Sequence, residues 1–223
     1  MAEVVALSPD RTTRSVWVVI DPRDVVTGER VFAPLRVTLR NVTARAIVSA
    51  SGLYCFTDLG LPAATYIVDV QPLRAAESFY LPAQKEFTLK VPPVSGAPLD
   101  RNLTTIDLFP RAAYPFATGV TLARGQLVKR TNGAVIDGAE VRLLRNGTAT
   151  GRPGRTDERG DFVVFFPPEP APDSSLGAPP TPAPRLKFRL EFFVPGRPPH
   201  RIDEQSVDEG GAVSLGVIKF PTL

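Results

Sequence analysis

The chain carries one pattern twice. In each half a glycine turn leads into an alternating strand, and a hairpin centred on a second glycine follows. In the first half the pieces are Thr27-Gly28, Leu35 to Leu39, and Ser51-Gly52-Leu53-Tyr54. In the second half they are Asn132-Gly133, Ala139 to Leu143, and Arg159-Gly160-Asp161-Phe162. Equivalent pieces lie roughly a hundred residues apart, the size of one β-sandwich domain. A repeat of that length restricts the chain to two similar modules in series.

The rest of the sequence supplies strands for those modules. Val16 to Ile20 is a β-branched run, apolar on both faces. It reads as a central strand, or as one whose outer face meets something else. Arg36 to Arg40 alternates, with Val37 and Leu39 facing inward. Arg45 to Ser49 and Leu53 to Thr57 flank the turn at Ser51-Gly52, and Tyr66 to Val70 alternates again. Residues 71–85 read as a loop crossing an edge. Phe87 to Val91 is half-buried, and Leu103 to Phe109 closes the unit with Ile106 and Leu108 inward. No helical period appears.

Pro110 to Phe116 reads as the linker, and the second unit starts near Gly119. Its strands are Gly125 to Val128, the run through Val141 and Leu143, Gly160 to Phe166, Leu186 to Phe192, and Val213 to Phe220. The 24 prolines and 17 glycines suit short strands and turns. The pattern therefore predicts an all-β protein of two tandem seven-stranded Greek-key β-sandwiches. The boundaries expected are 1–112 and 113–223. The second unit carries a proline-rich insertion, 167–184, where the first crosses with Asp58 to Thr65. Such a stretch favours an extended path and reads as a docking arm or a solvated loop.

The order of elements resembles the carboxypeptidase regulatory-like family, within the transthyretin-like and immunoglobulin-like sandwiches. The first unit carries the likeness through Thr27-Gly28, Ala33 to Leu39, Ser51 to Phe56, and Leu61 to Val68. The second carries it through Gly125 to Val128, Gly133, Asp137 to Leu143, and Thr156 to Phe162. The glycine that the family places before its tyrosine is replaced in the first unit by Ala64-Thr65, and the insertion displaces that element in the second. The resemblance implies the sandwich fold and says little about function, because such modules serve many systems. Relatives stand beside zinc carboxypeptidases, in cell-surface and carbohydrate-associated proteins, and in phage-tail-like particles.

Reactive side chains are scarce. One histidine, His200, and one distant cysteine, Cys55, cannot supply the several ligands that a zinc peptidase or an iron dioxygenase requires. Cys55 sits in an apolar strand run and reads as a small buried hydrophobe. There is no nucleophile elbow and no phosphate loop. Asp157, Glu158 and Asp161 surround a hairpin tip with Arg152, Arg155 and Arg159 beside them, so local ion pairing is expected. Asp203, Glu204, Asp208 and Glu209 read as a solvated turn. No catalytic residue, cofactor or metal is expected.

The net charge of +3 is too mild to imply nucleic-acid binding. No apolar h-region follows Met1-Ala2-Glu3, and no stretch reaches membrane-spanning length. The expectation is a chain made in the cytoplasm and carried in a released particle, without membrane insertion. The expected function is a structural or docking subunit of a larger protein assembly, in the first place a phage-tail-like contractile injection particle. The alternative is an extracellular glycan-binding or adhesive module. The residues selected for partner binding are Trp17, Arg142, Arg145, Pro168, Pro170, Pro172 and Phe193. Phe193 beside Val194, and one face of Trp17 or Val18, are apolar where strand alternation points outward.

Overall fold

The computed structural model describes residues 15–74, 79–89, 102–166 and 185–221. The first strands are β1 (Val16–Asp24), β2 (Leu35–Leu39), β3 (Ile47–Val48), β4 (Tyr54–Thr57), β5 (Thr65–Pro72), β6 (Ala83–Thr88) and β7 (Leu103–Leu108). They form one sheet in the order β3-β4-β1-β7 and another in the order β2-β5-β6. Val18, Ile20, Val37, Leu39, Phe56, Val68, Val70, Ile106 and Leu108 belong to one continuous core cluster drawn from both sheets. The alternation in β2 is complete: Leu35, Val37 and Leu39 are buried while Arg36 and Thr38 are exposed.

β1 is an inner strand, antiparallel to β4 and parallel to β7. That position explains its apolar run, because both flanks are paired and nearly every side chain is enclosed. Val18 is fully buried, so it presents no face to a partner. Trp17 is half-buried against the same core.

The second unit contains β8 (Leu122–Lys129), β9 (Glu140–Arg145), β10 (Thr148–Arg155), β11 (Asp161–Phe165), β12 (Arg185–Phe193), β13 (His200–Arg201), β14 (Gln205–Asp208) and β15 (Ala212–Phe220). One sheet runs β11-β8-β15; the other runs β10-β9-β12-β13, with β14 also on β12. β15 lies parallel to β8, as β7 does to β1. A second core gathers Leu127, Val141, Leu143, Phe162, Val164, Phe188, Leu190 and Phe192. Its rings meet edge to face, Phe162 on Phe192 at 5.4 Å and Phe166 on Phe188 at 5.1 Å. The two clusters share no residue. The all-β class is observed, and the arrangement fits two sandwiches in tandem.

The repeat extends to individual backbone bonds. In the first unit Asp24 N–H donates to Glu29 O, Gly28 N–H to Asp24 O, and Val31 N–H to Pro22 O. In the second, Lys129 donates to Ala134, Gly133 to Lys129, and Ile136 to Leu127 in the same sequence. The hairpins match too: Gly52 N–H reaches Ser49 O at 2.9 Å, and Gly160 N–H reaches Asp157 O at 2.8 Å.

The units differ on one side. In the first, the segment before the hairpin forms β3 on β4. In the second, the corresponding segment, β10, pairs with β9 in the opposite sheet. Within the acidic stretch expected as a solvated turn, Gln205–Asp208 forms strand β14 on β12 with Val207 buried in the core, while Asp203, Glu204, Asp208 and Glu209 are exposed. β5 runs on to Pro72 and β6 begins at Ala83, so the crossing is shorter than the expected 71–85. The proline-rich insertion 167–184, with Pro168, Pro170 and Pro172, lies outside the described residues.

Two turn glycines separate backbone strain from crowding. Gly133 has φ +69° with open space where a Cβ would stand. Gly160 has φ +75°, and a Cβ there would sit 2.6 Å from Leu127 O. Gly133→Ala is expected to cost about 1–2 kcal/mol for the left-handed backbone alone. Gly160→Ala is expected to cost more, because the backbone carbonyl must also yield. Urea unfolding of the two variants checks the order.

Candidate functional site: the junction between the sandwiches

The densest polar chemistry lies where the units meet. Asp24 ends β1 and is only 5% exposed. Its carboxylate accepts three hydrogen bonds: Val26 N–H at 2.7 Å, Tyr80 O–H at 3.0 Å, and a short one from Tyr114 O–H. Tyr80 belongs to the first sandwich and Tyr114 to the connecting segment. Burial and the adjoining Asp24 charge push the Tyr80 phenol up to about 12. The same causes hold Tyr114 well above the ordinary tyrosine range. Both hydroxyls are therefore fixed as donors across the physiological range.

Arg111 continues the joint. Its backbone N–H reaches Phe79 O at 2.8 Å, and its Nε reaches Tyr80 O at 3.2 Å. Its Nη1 holds Glu158 of the second unit at 2.6 Å. That contact is the main reason the Glu158 carboxyl lies below its usual value. Arg152 reaches back to Asp107 at 2.8 Å, and the Arg155 guanidinium lies 5.3 Å from the centre of the Phe109 ring. Arg152 and Arg155 thus reach the first sandwich, Arg159 stays beside Glu158 and Asp161 at the tip, and Arg111 pairs with Glu158.

Aromatic rings complete the connection. Tyr114 packs on Tyr80 at 5.8 Å and on Phe116 at 4.7 Å, and Phe116 meets Phe165 of β11 at 6.1 Å. Arg124 of β8 lies over Phe116 at 5.8 Å. Beside this stack is an apolar groove of about 470 Å³, lined by Val26, Tyr114, Val120, Phe165 and Leu186 among others.

The residues selected from sequence do not gather at this junction. Arg142 of β9 pairs with Glu140 at 2.6 Å and lies 4.1 Å over the ring of Phe193. Its guanidinium covers the ring that alternation leaves outward, so the Phe193 face is half-buried within the second sandwich. Arg145 ends β9 and also has a partner. Trp17 sits at the far end of β1 from Asp24. Asp24, Tyr80, Arg111 and Tyr114 were missed. The available signal was a linker with one arginine and two aromatics, types that bury and pair rather than swing freely.

The remaining titratable groups serve the fold. His200 is paired in β13 with Phe192 and packs at 5.6 Å on the Phe220 ring, not in a surface loop. Burial, then the Arg130 charge, holds its imidazole below 6.5. Asp21 is pushed up by burial, but hydrogen bonds from Arg30 and Arg23 bring it below 3.8. Burial raises the Cys55 thiol, which leaves it a poor nucleophile. Among the described residues no group of three or more His, Cys, Asp or Glu is placed to hold a metal. No helix there is long and apolar enough to cross a membrane.

No protein-family model matches the chain, and no curated protein matches it. Solved structures do overlap with it. A Bacillus anthracis TIE protein is 12% identical with TM-score 0.30, over 94% of this chain and 34% of that one. The shaft pilin SpaA of Lactobacillus rhamnosus GG is 11% identical with TM-score 0.30, over 92% and 97%. A streptococcal ancillary pilin is 12% identical with TM-score 0.27, over 97% and 64%. The fold assignment rests on the strand order and the two cores rather than on these overlaps.

Two outcomes follow from the buried groups. Tyr114→Phe removes one hydrogen bond to the buried Asp24 carboxylate and is expected to cost about 1.5–3 kcal/mol. Asp24→Ala strands two hydroxyls and is expected to cost more; chemical denaturation measures both. His200 is half-buried and its imidazole is held below its ordinary value, so the unfolded chain binds its proton more readily than the folded chain. Its contribution is complete above pH 6.5 and falls as pH drops below that value. His200→Gln is expected to flatten that acid-side loss in a series of melts against pH.

Proposed function

We propose that the chain is a non-enzymatic structural and docking subunit of a larger protein assembly. The observation that carries this reading is the joint at Asp24, Tyr80, Arg111 and Tyr114. It ties the connecting segment to the first sandwich through Asp24 and Tyr80, and to the second through Arg111 and Glu158. A spacer that must present two surfaces at a defined separation requires such a joint. A catalytic cleft would need polar groups left available to a substrate, whereas these are spent on one another.

The narrower reading is an accessory component of a phage-tail-like contractile injection particle. Its support is the resemblance of both repeats to carboxypeptidase regulatory-like modules. The glycan-binding alternative requires neighbouring exposed rings. Among the described residues the exposed aromatics are Phe32, 73% exposed, and Phe79, 46% exposed. They make no ring contact with each other, which favours the docking reading.

Density-gradient sedimentation from the native host, with the chain tagged, tests the proposal. The chain is expected to sediment with a high-mass protein particle and to give no signal on a glycan array. A free monomer that retains glycan contradicts the reading.

A further inference from the structure

Among the described residues the two sandwiches treat one edge differently, and the difference leaves one strand unpaired on a side. β9 and β2 hold the same position: β9 pairs with β12 as β2 pairs with β5. The other side of β9 is filled by β10. The other side of β2 has no strand among the described residues. The chain that would fill it runs through Ala44, Arg45 and Ala46 into β3, which pairs with β4 instead.

The backbone of β2 is set to pair outward. Leu73 N–H donates to Pro34 O and Arg40 N–H to Ile67 O, which fixes the register with β5. Antiparallel pairs alternate, so Arg36 and Thr38 bond to β5 while Leu35, Val37 and Leu39 turn their amides to the open side. The Tyr54 hydroxyl takes the Leu35 N–H at 3.3 Å, and Val42 N–H takes the Leu39 carbonyl at 3.2 Å. The Leu35 carbonyl, both Val37 groups and the Leu39 N–H have no partner among the described residues. That is the ladder of one added strand.

A groove of about 460 Å³ lies beside this ladder, lined by Val37, Ala44, Ala46, Val48, Tyr54 and Leu73 among others. Val48 is 57% and Leu73 52% exposed. Arg36 and Arg45 also line it, both are exposed, and neither has an ion-pair partner among the described residues. Among the described residues no acidic side chain lines the groove.

We propose that the open edge of β2 accepts an extended strand of a partner protein in which apolar and acidic residues alternate. The apolar side chains enter the groove between β2 and β3, and the acidic ones stand on the outer face opposite Arg36 and Arg45. Main-chain pairing supplies affinity, and the alternating side chains supply selection. A second copy's β2 is a poor occupant, because antiparallel pairing would bring Arg36 of each copy onto one face as opposed or diagonal neighbours. This inference rests on the docking function proposed above and names the edge that serves it.

Hydrogen exchange of the full chain, read by NMR, tests the edge, with a capped peptide alternating valine and aspartate as the probe. The Val37 and Leu39 amides are expected to exchange freely without peptide and to slow about tenfold or more with it at millimolar concentration. Arg36→Glu with Arg45→Glu, checked for folding by thermal melting, is expected to weaken binding about tenfold. The same double variant is expected to bind a valine–lysine peptide instead. Three results overturn the proposal: those amides are protected without peptide, the charge reversal leaves affinity unchanged, or the peptide N-methylated at alternate amides binds equally well. An edge variant that still sediments with the particle would sink the inference alone; failure of the unaltered chain to sediment with any particle would sink the docking function.

Discussion

A buried carboxylate must be satisfied, and Asp24 is satisfied from three directions. One bond comes from its own turn, one from Tyr80 of the first sandwich, and one from Tyr114 of the connecting segment. Each hydroxyl bond to a charged acceptor contributes about 1.5–3 kcal/mol, and removing either leaves a buried group short of a partner. The carboxylate therefore pins the connecting chain to the end of β1. With the chain pinned, Arg111 lies within reach of Glu158, and Phe116 within reach of Phe165. The exposed pair of Arg152 and Asp107 adds little by comparison, since about half of each side chain lies in solvent.

Duplication gives the two sandwiches one plan, and divergence gives them different edges. Both have an inner first strand closed by a parallel last strand, and both use the same bonded turns. The second unit uses β10 to cover β9 and adds β13 and β14 to the same sheet. The first keeps a two-residue β3 and, among the described residues, leaves β2 open. A sheet edge left unpaired is usually blunted by charge. Here the charged side chains beside the edge, Arg36 and Arg45, are of one sign.

Much of the fold was legible because burial alternates with strand period. Val37 and Leu39, Val141 and Leu143, and Leu186, Phe188, Leu190 and Phe192 are buried where alternation puts them. β10 was not legible, since Gly151-Arg152-Pro153-Gly154 carries turn residues; Gly154 fits against Val163 O, where a Cβ would stand at 2.5 Å. β14 was hidden by its acidic neighbours, which outnumber the one buried side chain, Val207. The junction was the least legible part. Asp24, Tyr80 and Tyr114 are far apart in sequence, and a shared carboxylate leaves no period to read. Arg142 and Phe193 were visible as an exposed charge and an exposed ring, but their stacking on each other is a property of neighbouring strands.

Small-angle X-ray scattering of the monomer in solution tests the central claim, that the junction holds the sandwiches in one fixed relation. The curve calculated from a single orientation of the two bodies is expected to fit the measured profile at all angles. A profile that requires a broad ensemble of orientations would contradict it.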